Sequence, residues 1–251
     1  MGNTALKTVT IFNLNIHNLS KNEAEKLILK WGESGESKYI CFCNSHTVHI
    51  ANKNKEVREV LNCADLSLPD GFPLAWGMRM KGICRAERIA GPDMMNSLCR
   101  HAEKKGLRIF LYGGDAQTLN RLTQKLRKTY CQLNIVGSFS PPFGKINAED
   151  ERKYQDFIKN ARPNIVFVGL GFPKQEIWMA KAKQNVKAVM LGVGAAFDFI
   201  AGTKKRAPKW VQSIGMEWFW RMIKEPQRLT KRYMLANSHL IIMIIEKLIK
   251  R

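Results

Sequence analysis

Short apolar runs alternate with amphipathic segments along residues 38–192 of the chain. Apolar runs of about four to eight residues are typical of strands buried on both faces, whereas apolar residues three or four positions apart are typical of helices. The predicted strands are 38–44, 66–69, 107–112, 134–137, 164–169 and 187–192. The predicted helices between them are 45–61, 73–80, 92–105, 116–130, 148–160 and 173–184. This alternation predicts an α/β fold with a Rossmann-like, doubly wound, mostly parallel sheet.

The pattern changes after Gly202. Residues 203–251 hold twelve Lys or Arg against three Glu, a net charge of +9 for this segment. Its apolar residues recur with helical spacing at positions 229, 233, 236, 240, 244 and 248. We therefore predict an α/β core over residues 1–202 and a basic, amphipathic helical appendage over 203–251. The appendage can cover the core, bind an acidic partner or lie on a membrane surface.

Composition limits the kinds of partner that the chain is expected to bind. The 251 residues carry a net charge of +20, which indicates an anionic partner such as nucleic acid, anionic lipid or the phosphates of a nucleotide sugar. The longest uninterrupted apolar run, 240–245, is too short for a transmembrane helix, which needs about 20 residues. The six cysteines form no Cys-x-x-Cys pair, so we expect no zinc site.

Glycine-bearing turns follow several predicted strands. They are Asp70-Gly71, Gly113-Gly114-Asp115, Gly169-Leu-Gly171 and Gly192-Val-Gly194. Ligands of open α/β sheets bind at the carboxyl ends of strands, where glycine turns and helix N-termini present backbone N–H groups to phosphate. Neither Gly-x-Gly pair extends to a full dinucleotide-binding fingerprint, so a nicotinamide-linked oxidoreductase is not favoured.

Polar side chains at these strand ends each allow two interpretations. Asp70 is either a general base acting on a hydroxyl group or a turn residue before Gly71. Asn44 either contacts a ligand or caps the following helix. Lys174 and Gln175, at the start of a predicted helix, either contact phosphate and a sugar or base edge, or belong to a solvated helix end.

Two further carboxylates also leave alternatives open. Asp93 lies close in sequence to Arg88; it either acts in catalysis or, as we predict, forms an ion pair with Arg88 that fixes their loop. Asp198 follows the last predicted strand, and it either contacts the ligand or pairs with Lys204 or Arg206.

A set of motifs, taken in order, resembles one family over about residues 40–235. The motifs are Leu68-Pro-Asp-Gly71, Arg88-Ile-Ala-Gly-Pro-Asp93, Phe110-Leu-Tyr-Gly-Gly114, Val168-Gly-Leu-Gly-Phe-Pro-Lys-Gln-Glu176, Gly192-Val-Gly-Ala-Ala-Phe-Asp198, Lys205-Arg-Ala-Pro208, Glu217-Trp-Phe-Trp-Arg221 and Pro226-Gln-Arg228. Together they resemble the bacterial WecG/TagA/CpsF glycosyltransferases, glycosyltransferase family 26.

The resemblance implies an activity. Members of the family transfer a sugar from UDP to an undecaprenyl-diphosphate-linked sugar, with inversion and without a metal or cofactor, in the synthesis of teichoic acid and other cell-envelope polymers. The expected donor sugar is N-acetylmannosamine, with glucose or N-acetylmannosaminuronic acid as alternatives. The implied location is the cytoplasmic side, peripheral on the inner face of the cell membrane.

The resemblance also assigns roles to residues. Asp70 becomes the catalytic base, Asn44 and Gln175 line the substrate pocket, and the appendage brings Arg221 and Arg228 to the donor diphosphate. The remaining expected substrate-binding residues are Gly71, Arg88, Asp93, Gly113, Gly171, Lys174, Gly194, Asp198, Arg206 and Lys231. The chain departs from relatives at Phe42, where they place Thr, which affects sugar specificity, and at Lys231, where some have Arg.

Two other hypotheses follow from the charge and the apolar appendage. A basic nucleic-acid-binding module would explain the charge, but no recognisable reading motif accompanies it, so we expect no nucleic-acid partner. The apolar appendage can also pack between copies of the chain in a homo-oligomer.

Overall fold

A parallel sheet forms the centre of the molecule. The computed structural model describes residues 6–83, 86–144 and 146–249, with the backbone alone for residues 232 and 239–249. Within these ranges the sheet strands are β3 (Lys38–Cys43), β4 (Leu66–Pro69), β5 (Ile109–Gly113), β6 (Ile135–Phe139), β7 (Ile165–Gly169) and β8 (Val189–Gly192), in the order β4-β3-β8-β7-β5-β6. All neighbouring strands in this sheet run parallel. A separate antiparallel hairpin joins β1 (Thr8–Ile11) to β2 (Leu14–His17).

Helices cover both faces of the sheet. They are α1 (Lys21–Ser34), α2 (Ser45–Lys53), α3 (Lys55–Asn62), α4 (Phe72–Met80), α5 (Gly91–Lys105), α6 (Ala116–Thr129), α7 (Ala148–Asn160), α8 (Lys174–Ala182), α9 (Ala196–Ala201), α10 (Lys209–Ser213), α11 (Glu217–Lys224) and α12 (Pro226–Ile249). One core packs α1, α5, α6 and α9 on the face of Ile40 and Phe42. The other packs α2, α3, α4 and α8 on the face of Tyr39 and Cys41. The predicted doubly wound, Rossmann-like fold is confirmed.

The predicted sheet strands are all present, but one predicted helix is wrong. The segment predicted as a single helix over 45–61 is divided into α2 and α3. At the break, Asn54 adopts an extended backbone, and its side chain accepts a 3.2 Å hydrogen bond from the backbone N–H of Val57. Asn54 therefore ends α2 and caps α3, as short polar side chains commonly do.

The basic C-terminal segment forms α10, α11 and α12. α12 packs against α2, and its Leu229 and Ala236 are fully buried. Part of the predicted apolar stripe therefore covers protein, whereas the side chains at 240, 244 and 248 lie outside the described residues. No described helix combines the length and hydrophobicity needed to cross a bilayer. The division of the chain after Gly202 stays a prediction.

Candidate active site

A cleft of about 400 Å³ opens at the carboxyl edge of the sheet. The loops after β3, β4, β7 and β8 form its floor, and side chains from α11 and α12 reach into it. The expected site residues on its wall are Asn44, Asp70, Arg88, Gly171, Gln175, Gly194, Asp198, Arg221 and Arg228. Gly71 lines a smaller adjoining pocket that shares Asn44, Asp70 and Arg88 with the cleft. Strand ends far apart in sequence thus meet where ligands of α/β sheets bind.

The register of two strands sets the position of Asp70. β3 and β4 pair so that Cys43 lies opposite Pro69, which brings the next residues, Asn44 and Asp70, side by side. The Asp70 N–H donates a 2.7 Å hydrogen bond to the Cys43 carbonyl. The Ile89 N–H donates to the Pro69 carbonyl at 2.8 Å, so the loop carrying Arg88 is held to the same strand end.

The Asp70 carboxyl lies in a charged environment and is only 23% exposed. Burial raises its pKa to about 6, and the negative charge of Glu217 acts in the same direction, whereas Arg88, Arg206 and Arg221 oppose the rise. Among the described residues, the nearest cation is Arg88, whose Nε lies 3.7 Å from Asp70 Oδ1. A carboxylate with a pKa near neutrality is suited to accept a proton from a hydroxyl group.

A chain of ion pairs leads away from Asp70. Arg88 Nη2 lies 2.6 Å from Glu217 Oε2, and Glu217 Oε1 lies 3.5 Å from Arg206 Nε. Arg206 also makes a bidentate pair with Asp93 at 2.6 and 2.8 Å. Asp93 and Arg206 therefore bind each other. Neither residue lines the cleft.

The predicted ion pair between Arg88 and Asp93 is wrong. The backbone bond of Ile89 to Pro69 directs Arg88 towards the end of β4, where it meets Asp70 and Glu217. Asp93 lies in the first turn of α5 and faces Arg206 from the C-terminal segment.

Gln175 lines the cleft, but its polar atoms form hydrogen bonds with other parts of the protein. It is 4% exposed, its Oε1 accepts from the Gly171 N–H at 3.1 Å, and its Nε2 donates to the Gly192 carbonyl at 2.8 Å. It thereby ties the loop after β7 to the end of β8. Its neighbour Lys174 is exposed and outside the cleft wall.

Asn44 fits both sequence interpretations. Its Oδ1 accepts hydrogen bonds from the backbone N–H groups of His46 and Thr47 at 3.0 and 3.2 Å, so it caps α2. It also lines the cleft beside Asp70.

Gly113 has a packing reason to be glycine. A Cβ atom there would lie 2.7 Å from the carbonyl carbon of Gly169, and one on Gly169 would lie 2.6 Å from the ring of Phe197. Gly113 lies outside the cleft wall, although its neighbour Gly114 lines it. These glycines let β5, β7 and α9 approach closely.

Cations from the C-terminal half of the chain complete the cleft. Arg221 lies over the ring of Phe199, 5.4 Å from its centroid, and Arg228 pairs with Glu225 at 2.6 Å. Lys204, which lies 3.2 Å from Glu225 and 3.6 Å from Asp198, also lines the cleft. The pairing of Asp198 with Lys204 is one of the alternatives expected from the sequence. Lys231 is exposed and outside the cleft wall.

Several cleft residues were not among the predicted site residues. The charged ones are Asp115, Glu176, Lys204 and Glu217, and Phe42, Thr47 and Phe199 contribute further to the wall. Glu217 belongs to a quoted motif, but no pattern in the sequence places it beside Arg88. Across the described ranges, no three His, Cys, Asp or Glu side chains are grouped as metal ligands.

The fold and cleft together define an α/β protein of the Rossmann type, with a carboxylate of raised pKa and a set of guanidinium groups at the carboxyl edge of its sheet. Residues 9–251 match the Glycosyl transferase WecG/TagA/CpsF family, and the chain belongs to that family. The family expected from the sequence motifs is thereby confirmed, and with it the class of glycosyltransferase.

Proposed function

We propose that this protein is an inverting glycosyltransferase that moves N-acetylmannosamine from UDP to an undecaprenyl-diphosphate-linked sugar in cell-envelope polymer synthesis. Asp70 accepts the proton of the acceptor hydroxyl, whose oxygen attacks C1 of the donor sugar from the face opposite UDP. The observation that carries the proposal is the Asp70 carboxyl, with its pKa raised to about 6, in one cleft with Arg88, Arg221 and Arg228.

The arginines fit the charge that the reaction develops. Departure of UDP adds negative charge to the diphosphate, and guanidinium groups offer bidentate donors matched to phosphate oxygens. Preorganised cations of this kind stabilise the transition state because they need no reorganisation as charge develops. Arg221 and Arg228 are our candidates for the leaving diphosphate, and the reaction needs no metal in this scheme.

The choice of sugar depends on the cleft wall near Phe42. This side chain is 7% exposed and lines the cleft where relatives are expected to carry a hydroxyl. An aromatic ring packs against an apolar sugar face and cannot donate a hydrogen bond to a sugar hydroxyl. The alternative to transfer of N-acetylmannosamine is transfer of glucose or N-acetylmannosaminuronic acid. A screen of UDP-sugars against a short-chain lipid-diphosphate acceptor, read as UDP release, decides between them.

Membrane association is part of the proposal. The C-terminal segment exposes Trp210, Ile214 and Ile223, each more than half exposed, among its basic residues. Apolar side chains surrounded by Lys and Arg suit the surface of an anionic bilayer. The arginines that line the cleft surround one site at the carboxyl edge of the sheet, and two of them pair with carboxylates, Arg88 with Glu217 and Arg228 with Glu225. This arrangement favours a small anionic substrate over nucleic acid.

The decisive variant is Asp70→Asn, assayed by transfer of radiolabelled sugar. We expect a loss of about 10²- to 10⁴-fold, because the amide cannot accept the proton. Asp156→Asn is the matched control, since Asp156 is an exposed residue of α7 away from the cleft. Wild-type turnover by Asp70→Asn would refute the assignment of the base.

A further inference from the structure

Glu217 is an acidic side chain in the cleft to which the proposed reaction gives no role. It lies in the first turn of α11 with 13% of its side chain exposed. One carboxylate oxygen lies 2.6 Å from Arg88 Nη2, and the other lies 3.5 Å from Arg206 Nε. Two guanidinium groups therefore fix the position of this carboxylate.

Arg88 has two acidic neighbours and binds one of them much more closely. Its 2.6 Å contact with Glu217 is a short, charge-assisted hydrogen bond, whereas its 3.7 Å separation from Asp70 is beyond hydrogen-bond reach. An Arg88 released from Glu217 could close on Asp70 and form a full ion pair. Such a pair would occupy carboxylate lone pairs that an acceptor hydroxyl needs, and would stabilise the ionised form of Asp70.

The charges around Asp70 come from several parts of the chain. Arg88 comes from the loop before α5, Arg206 from the loop before α10, and Glu217 and Arg221 from α11. His46 of α2 lines the adjoining pocket. The three arginines lower the pKa of Asp70 and Glu217 raises it, so Glu217 counters part of their effect.

We propose that Glu217 is a positioning residue for sugar transfer, which holds Arg88 away from Asp70 and keeps the carboxylate of Asp70 basic. This inference rests on the proposed role of Asp70 as the base. Because Glu217 belongs to α11, it acts on Arg88 and Asp70 only when the C-terminal segment is docked on the sheet edge.

The test is the pH dependence of kcat/KM for the full-length chain, measured from about pH 5 to pH 9, the range in which a base of this kind titrates. The substrates are the UDP-sugar that the wild type turns over fastest and a short-chain lipid-diphosphate acceptor. Glu217→Gln removes the charge and keeps the shape. We expect its acidic limb to move about one pH unit towards acid, since one charge nearby has been lost. We also expect its plateau to fall about threefold or more, because the base is weaker.

Two variants accompany it. Glu149→Gln makes the same charge change at an exposed position of α7 and should leave both the limb and the plateau unchanged. Glu217→Asp keeps the charge but withdraws it from Arg88, so its limb should move less than that of Glu217→Gln.

A limb that stays at the wild-type pH in Glu217→Gln overturns the inference, whether or not the plateau falls, because a purely structural role lowers the rate without moving the limb. If thermal unfolding shows that Glu217→Gln does not fold, Glu217→Asp decides: a limb below the wild-type pH supports the inference, and a wild-type limb overturns it. If the limb of Glu217→Gln does not move and Asp70→Asn is inactive, only this inference is refuted. Full activity of Asp70→Asn refutes the proposed function itself.

Discussion

At the scale of single residues, the surroundings of Asp70 are assembled from distant parts of the chain. An aspartate before glycine at a strand end is commonly a turn residue, and the sequence left that alternative open. The strand pattern placed Asp70 at the correct edge of the sheet, because parallel strands carry their carboxyl ends to the same side. Its neighbours Arg206, Glu217 and Arg221 come from more than a hundred residues further along the chain, so no local pattern reveals them.

The raised pKa of Asp70 predicts that the base destabilises the fold at neutral pH. A carboxyl with a pKa of about 6 when folded and near 3.8 when unfolded contributes stability below about pH 4, and this contribution is lost as the pH rises through about 6. The free energy of unfolding of Asp70→Asn should therefore exceed that of the wild type by up to about 3 kcal/mol at pH 7.5, so the variant is more stable.

The measurement is urea unfolding at about pH 4 and pH 7.5, with Asp156→Asn as the control. The difference between Asp70→Asn and the wild type should shrink at the lower pH, where Asp70 is protonated in the folded chain and partly protonated in the unfolded one. A constant difference at the two pH values would contradict the raised pKa.

At the scale of elements, the strands of the main sheet and most of the helices between them were predicted well, whereas the elements before residue 38 were missed. The sheet strands are apolar runs, so their type and order followed from the sequence. The hairpin of β1 and β2 was missed because its strands contain no apolar run and pair outside the main sheet. α1 was also missed, although Ser20 and Glu23 form a capping box at its start. The break at Asn54 was hidden because apolar spacing continues across it.

Close approach of elements at the glycine turns gives a prediction. Gly169→Ala should destabilise the fold by about 1–3 kcal/mol, because its Cβ would lie 2.6 Å from the buried ring of Phe197. Gly32→Ala is the contrasting variant, since the nearest atom to its Cβ would lie 3.5 Å away and Gly32 is part of α1. That variant should stabilise by about 0.5–1 kcal/mol, and both values can be read from denaturant unfolding.

At the scale of the whole molecule, the charge of +20 and the C-terminal apolar stripe were visible in the sequence. Which apolar side chains of the C-terminal segment face the protein and which face solvent was not. Leu229 and Ala236 are buried in α12, which packs against α2, whereas Trp210 and Ile214 are 66% and 58% exposed. Spacing along a helix defines a stripe but does not say whether protein or solvent faces it. The surface that we assign to the membrane therefore became visible only in the folded chain.

This surface should bind anionic vesicles. Replacing Trp210 and Ile214 together by Ser should weaken co-sedimentation with vesicles containing phosphatidylglycerol at least about tenfold, since burying each side chain is worth about 1.5–3 kcal/mol. Phe157→Ala, at a half-exposed position of α7, is the control and should bind like the wild type. Equal binding by the double variant, or equal binding to neutral vesicles, would contradict the assigned surface.

The bridge that Gln175 makes between the ends of β7 and β8 has a consequence for protein engineering. Because Gln175 braces the loop after β7 against the end of β8 by bonds within residues 171–192, this part of the cleft wall is held without the helices that supply Arg221 and Arg228. A library that varies α12 and the Arg221 side of α11, with Glu217 kept, can therefore search for new leaving groups while this wall and the Glu217–Arg88 pair stay constant. A library that varies Phe42 can search for new sugars in the same way, and hits from the two can be recombined.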